Sequence, residues 1–171
     1  NFQRQRAVLR QDADKELASR HAYPQWWISQ VQAQYGGKSD AILAAGNQHP
    51  PMTLRVNTRH CSVATYLEML SQANMTARLV APGALILDHP VAVEKLPKFE
   101  EGWVSVQDAG AQFAFGLLDV KAGMRVLDAC AAPGGKATHL LEKADIKLVA
   151  VDRDETRLQR VRENLRRTGL E

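Results

Sequence analysis

Apolar positions along the chain change their spacing twice. Over residues 1–35 the spacing is helical, with Val8, Leu9 and Leu17 set among charges. Pro24 interrupts that run, and Trp26, Trp27, Ile28 and Val31 form a second apolar patch that Gly36-Gly37 stops. A short helix over residues 41–45 is expected next. His49-Pro50-Pro51 then breaks the chain, because each proline fixes its own φ and biases the residue before it toward extended geometry. A domain boundary is expected near this break.

Beyond it the spacing shortens. Thr53-Leu54-Arg55-Val56-Asn57 alternates as a half-buried strand does. Ser62 is placed to cap a helix with Val63, Leu67 and Leu70 on one face. Residues 77–80 and 84–88 read as strands joined by the turn pair Pro82-Gly83. Residues 93–99 suggest a second short helix, weakened by Pro97, and residues 103–107 a further strand. The order β-α-β-β-α-β predicts a ferredoxin-like module, whose last strand is also placed to serve the next domain.

From Asp108 the units lengthen. Residues 111–118 read as a helix and Lys121-Ala122-Gly123 as a turn, before a buried strand at 124–128. Ala137, Leu140, Leu141 and Ala144 then repeat at helical spacing. Residues 148–152 form a fully apolar strand ending in an acid. Residues 155–168 form an arginine-rich helix with Leu158, Val161 and Leu165 as its inward stripe. A β-α-β-α order with apolar strands opens a doubly wound parallel sheet. The expected organisation is a helical segment over 1–46, a ferredoxin-like module over 47–101 and a Rossmann-like α/β part over 102–171.

Composition narrows the classes. The 171 residues are 45% hydrophobic and 24% charged, as in ordinary globular proteins, and no apolar stretch approaches a membrane span. The opening lacks a signal-peptide pattern, and Cys61 and Cys130 form no CxxC pair, so a reducing cytoplasm is the expected setting. The five histidines are scattered, without metal-ligand spacing. A net charge of +3 is compatible with nucleic acid without pointing to it. The chain starts in helix-like sequence without an initiator methionine, which suggests an internal piece of a longer protein.

The candidate chemistry lies in Asp128-Ala129-Cys130-Ala131-Ala132-Pro133-Gly134-Gly135-Lys136-Ala137-Thr138, between a strand and a helix. A nucleoside-triphosphate P-loop would need glycine at Cys130 and a hydroxyl at Ala137, so it fails. A nicotinamide-binding turn would need more glycine and no Pro133. S-adenosylmethionine carries no pyrophosphate. It asks for close backbone approach, which Ala131, Ala132, Gly134 and Gly135 allow, and an acid for the ribose hydroxyls at the end of the next strand. Asp152 stands there, at the separation of about 20 residues used by dinucleotide folds. A plain strand-to-helix turn ending on a glycine pair also accounts for the pattern.

The nine residues 128–136 resemble motif I of the RNA cytosine-5 methyltransferases. Tyr23-Pro24-Gln25-Trp26-Trp27, residues 50–57 (Pro-Pro-Met-Thr-Leu-Arg-Val-Asn) and residues 102–109 (Gly-Trp-Val-Ser-Val-Gln-Asp-Ala) resemble a narrower group, the bacterial Sun/RsmB (Fmu) enzymes. The likeness runs from about Tyr23 to Gly169. It implies the tail of a NusB-like helical RNA-binding domain, a ferredoxin-like module and the start of a Rossmann-like methyltransferase domain. It also implies methylation of cytosine carbon 5 in small-subunit (16S) ribosomal RNA, with S-adenosylmethionine as cofactor and no metal or membrane. Its cofactor loop falls on Cys130, Ala131, Ala132, Pro133, Gly134, Gly135 and Lys136, and its ribose acid on Asp152. The family's Thr-Cys nucleophile and Pro-Cys release motifs do not occur in these 171 residues. No catalytic residue is therefore assigned, Cys130 is expected to pack within the loop, and the chain alone is expected to be inactive. The open sheet edge is expected to invite association.

Several residues carry two readings. Arg153, Arg157, Arg160, Arg166 and Arg167 suit either phosphates or a solvated helix face. Trp26 and Trp27 suit base stacking or anchoring of the helical segment. Lys136 suits the cofactor's carboxylate through its backbone N–H at a helix start, or the mouth of the cleft. A non-catalytic RNA-binding accessory module with a structural Rossmann-like portion is the alternative function.

Overall fold

Proline, glycine and capping side chains set the limits of most elements. A computed structural model describes residues 2–170. The chain divides into two units, Asn1–Pro50 and Pro51–Glu171.

In the first unit, α1 (Phe2–Ala13) buries no residue, and α2 (Leu17–His21) ends on Ala22 in the left-handed conformation. Pro24 starts α3 (Gln25–Tyr35) and Gly36 ends it, as the sequence predicts. The last helix, α4 (Ser39–Gly46), is longer than the expected 41–45. Ile28, Val31 and Leu43 form the core, with Ala18 and Tyr23 against them. Trp26 and Trp27 are exposed and meet edge to face at 5.7 Å.

The second unit opens with β1 (Thr53–Val56), α5 (Val63–Gln72), β2 (Ala77–Ala81), β3 (Ala84–Leu87) and β4 (Val104–Val106). The sheet order is β2-β3-β1-β4 with every neighbouring pair antiparallel, the ferredoxin-like arrangement. Because β4 pairs with β1, this sheet runs past residue 101 to Val106. Ser62 caps α5, accepting the Thr65 N–H at 3.0 Å. Leu54, Val56, Tyr66, Leu70, Leu85 and Val104 fill the core beneath the sheet. The expected second helix over 93–99 is only a 3-10 turn at Val93–Lys95, because Leu96, preceding Pro97, is held extended. Trp103 is half-buried and stacks on His60 at 5.7 Å.

The α/β part comes next: α6 (Ala109–Leu118), β5 (Arg125–Asp128), α7 (Gly135–Lys143), β6 (Lys147–Ala150) and α8 (Glu155–Thr168). Asp108 caps α6, which starts two residues before the expected 111. Strands β5 and β6 are parallel, Val126 facing Leu148 and Asp128 facing Ala150. The first of these strands was expected to be buried, yet both alternate between exposed and half-buried residues. Leu127 is 65% exposed and Val149 53%. On its other face β6 meets α7, and its Ala150 packs with the apolar stripe of α8. The inward stripe of α8 is as expected: Val161 is buried, and Leu158 and Leu165 pack with it against Ala131 and Ala132.

Candidate functional site

The loop from β5 to α7 is held by three neighbours, and the first is β6. The Ala131 N–H donates to the Val151 carbonyl at 3.0 Å, which extends the parallel ladder into the loop. The Ala132 N–H donates to Asp152 Oδ2, and the Asp154 N–H to Asp152 Oδ1, both at 3.1 Å. Those two bonds, Asp154 first, hold the Asp152 carboxyl below its ordinary value against a small opposing effect of burial. The nearby Arg157 charge adds to the lowering. Asp152 is thus an ionised, acceptor-only group whose oxygens each retain free lone pairs.

The second neighbour is α8. Arg157 Nη2 donates to the Ala132 carbonyl at 3.2 Å and Asn164 Nδ2 to the Pro133 carbonyl at 2.9 Å. Gly134 lies over Val161 with φ +104. A Cβ there would meet the Val161 Cα at 3.3 Å, so the loop needs glycine at this point. The third is the ferredoxin-like module. Arg55, on β1, reaches the first turn of α7 through the Gly135 carbonyl and the Thr138 hydroxyl.

The residues singled out from sequence sit at the junction of these neighbours. Ala131, Ala132 and Gly134 are buried, Gly135 and Asp152 half-buried, and Cys130, Pro133 and Lys136 exposed. The loop and Asp152 are therefore brought together across the ends of two adjacent strands. The methyl groups of Ala131 and Ala132 pack on Val161 and seat the loop on α8. One expectation changes. Cys130 does not pack in the loop. It is exposed, and its N–H lies 3.4 Å from Asp128 Oδ1. Cys61 lies on the ferredoxin-like module, half-buried, with its thiol pushed up by burial.

The arginines of α8 divide. Arg153 and Arg160 are exposed, whereas Arg157 braces the loop. Arg167 is a docking residue. It donates to the Phe99 and Val104 carbonyls at 2.6 and 3.0 Å and to Ser105 Oγ at 3.0 Å, with its guanidinium 4.2 Å above the Phe99 ring. Among the described residues no group of three or more His, Cys, Asp or Glu could hold a metal, and no helix is long and apolar enough to cross a membrane.

Beside the loop, α6, β5 and α7 line an open pocket of about 160 Å³, walled by Phe115, Leu118, Val126, Asp128, Lys136 and His139. His139 is 6% exposed and meets Phe115 at 5.4 Å. Burial first, then the charges of Arg55 and Lys143, push its imidazole down to about 3. The folded state therefore refuses a proton that the unfolded chain accepts from about pH 6.5 downward. Stability is expected to fall as pH drops from about 6.5 toward 3, by up to about 1.4 kcal/mol per pH unit from this group. Urea unfolding across that range should show a shallower fall in His139→Gln. Equal slopes in the two proteins would remove His139 from the account.

A family model described as the Methyltr_RsmF/B-like ferredoxin-like domain matches residues 23–94, and one described as 16S rRNA methyltransferase RsmB/F matches residues 115–171. The class is thus a ferredoxin-like module joined to the start of a methyltransferase domain. A ribosomal RNA small subunit methyltransferase B from Yersinia enterocolitica is 48% identical over 99% of this chain, and one from Citrobacter koseri is 46% identical over 99%. The chain spans about 40% of the length of each. The crystal structure of a methyltransferase homolog protein from Pyrococcus horikoshii superposes with a TM-score of 0.80 at 30% identity, covering 90% of this chain and 52% of that one. The chain belongs to the RsmB/F family of methyltransferases.

Proposed function

We propose that the protein carrying this chain transfers a methyl group from S-adenosylmethionine to carbon 5 of a cytosine in small-subunit ribosomal RNA, and that residues 130–136 with Asp152 hold the cofactor. The observation that carries this reading is the joining of the loop to the Asp152 carboxylate across the ends of two parallel strands. The residues fit that cofactor. Asp152 is ionised and half-exposed, suited to accept from two vicinal ribose hydroxyls. The N–H groups that open α7, at Gly135 and Lys136, lack partners within the helix and suit the cofactor's carboxylate. S-adenosylmethionine supplies an electrophilic methyl group on a sulfonium.

Cytosine carbon 5 becomes a sufficient nucleophile only after a thiolate adds at carbon 6. Neither cysteine here is built for that step. Cys61 lies on the ferredoxin-like module with a raised pKa, and Cys130 is an exposed loop residue whose bond to Asp128 runs through its backbone N–H and not its thiol. The attacking cysteine is therefore assigned outside these 171 residues, and ribosomal RNA is assigned as the partner in a cytoplasmic setting. Labelled methyl recovered on cytosine carbon 5 of the small-subunit RNA is the expected result. Label found only on a base nitrogen or a ribose would sink the proposal.

Asp152→Ala is expected to weaken cofactor binding about tenfold or more, since charged acceptors make the stronger hydrogen bonds. Because the backbone N–H bonds of Asp154 and Ala132 depress its pKa, the carboxylate persists to lower pH than an ordinary aspartate, and the loss of affinity on acidification should set in correspondingly lower. Calorimetry with the folded variant is the measurement. An unchanged dissociation constant would take Asp152 out of the site.

A further inference from the structure

We propose that Arg55, on the ferredoxin-like module, is the positioning residue of the loop that opens α7, and so sets the affinity of the cofactor site from a neighbouring module. The inference rests on the reading of residues 130–136 as a cofactor loop. Arg55 is 1% exposed and uses all five of its N–H donors. Nε donates to Glu142 Oε2 at 2.9 Å and Nη2 to Glu142 Oε1 at 2.6 Å. These two bonds are all the ion pair requires. The other three go elsewhere: Nη1 to the Gly135 carbonyl at 2.7 Å and to Gln107 Oε1 at 2.6 Å, and Nη2 to Thr138 Oγ1 at 3.0 Å.

Each of those three bears on the glycine pair. Gln107, oriented by Arg55, donates its own amide to the Gly135 carbonyl at 3.3 Å. Thr138 accepts from Arg55 and donates its own hydroxyl to the Gly134 carbonyl at 2.9 Å. The carbonyls of both glycines are thereby fixed by a network that starts on β1. A peptide is planar and trans, so fixing the Gly134 carbonyl fixes the N–H of Gly135, and fixing the Gly135 carbonyl fixes the N–H of Lys136. Those are the donors left open at the start of α7. Two consecutive glycines have wide conformational freedom, and a ligand that had to order them would bind more weakly. Arg55 removes that freedom before any ligand arrives.

A buried ion pair with a merely structural role would move stability and leave the loop's affinity alone, and this difference defines the test. The full-length protein is compared with Thr138→Val, Arg55→Lys and, as a control, Leu70→Ala, which cuts into the buried core beneath the ferredoxin-like sheet far along the chain from the loop. S-adenosylmethionine binding is read by calorimetry, hydrogen exchange of the peptide spanning residues 130–138 by mass spectrometry, and unfolding temperature by circular dichroism.

The expected result is cofactor affinity about tenfold weaker in Thr138→Val and Arg55→Lys, with faster exchange across the loop. Leu70→Ala should lose as much thermal stability and keep both affinity and loop protection. Unchanged affinity in Thr138→Val and Arg55→Lys, or an equal loss in Leu70→Ala, overturns the proposal. Should Arg55→Lys fail to fold, Thr138→Val decides alone, because it leaves the ion pair in place. If the wild-type protein does not bind S-adenosylmethionine, the cofactor reading falls. Loop exchange then decides for Arg55: acceleration confined to the two network variants supports it, and unaltered exchange overturns it.

Discussion

Glu142→Ala is expected to destabilise the second unit by about 3–5 kcal/mol, the usual result of removing one partner from a buried ion pair. Glu142 is 4% exposed and both of its carboxylate oxygens are engaged by Arg55. With the carboxylate gone, the guanidinium stays buried with its charge uncompensated. The double variant Arg55→Met/Glu142→Met should recover part of the loss, since apolar residues often replace such pairs at little cost. Recovery should be incomplete. The Gln107 side chain and the Gly135 carbonyl would still lack the donor they share. Denaturant unfolding measures all three proteins. A Glu142→Ala loss below about 1 kcal/mol would mean that water reaches the pair.

Gly102→Val should be nearly as damaging, for a steric reason. Gly102 has φ +75, where a β-branched residue is strained by about 1–3 kcal/mol. A Cβ there would press on the Arg167 carbonyl and lie 2.6 Å from the Thr168 Cα. Those are backbone atoms of α8, and they cannot rotate away. Either α8 shifts, breaking the Arg167 bonds to Phe99, Val104 and Ser105, or the overpacking remains at about 1–3 kcal/mol more. The expected outcome is a lowered unfolding midpoint with loss of amide protection concentrated at the end of α8. A variant as stable as wild type, with α8 fully protected, would show that the contact yields cheaply.

Local pattern made much of this molecule legible. Alternation found β1, Ser62 marked a helix start, and Pro82-Gly83 joined two strands that do pair. The loop and Asp152 stood out because close backbone approach of a ligand asks for small residues, and its ribose for an acid at the next strand end. What escaped was long-range. Thr53-Leu54-Arg55-Val56 reads as a strand with one wet face, yet all four residues are buried, since Glu142 and Thr138 arrive 87 and 83 residues later to cover Arg55. Nothing near Arg55 announces that partner.

Pattern also misled where burial depended on neighbours. Leu127 and Val149 belong to apolar runs that read as buried, yet they lie on the open face of a two-stranded sheet. Arg167 looked like one more charge on a solvated helix. Only its landing on the Phe99 and Val104 carbonyls reveals it as an anchor.

The placement of the three tryptophans gives each unit its own optical signal. Trp26 and Trp27 are exposed in the first unit, so their emission should be red-shifted and readily quenched by acrylamide. Trp103 is half-buried in the second, with the His60 ring stacked on it and the Lys98 ammonium 6.0 Å from its centre. With Trp26 and Trp27 replaced by Phe, Trp103 becomes the lone indole of these 171 residues and reports unfolding of the second unit with no attached label.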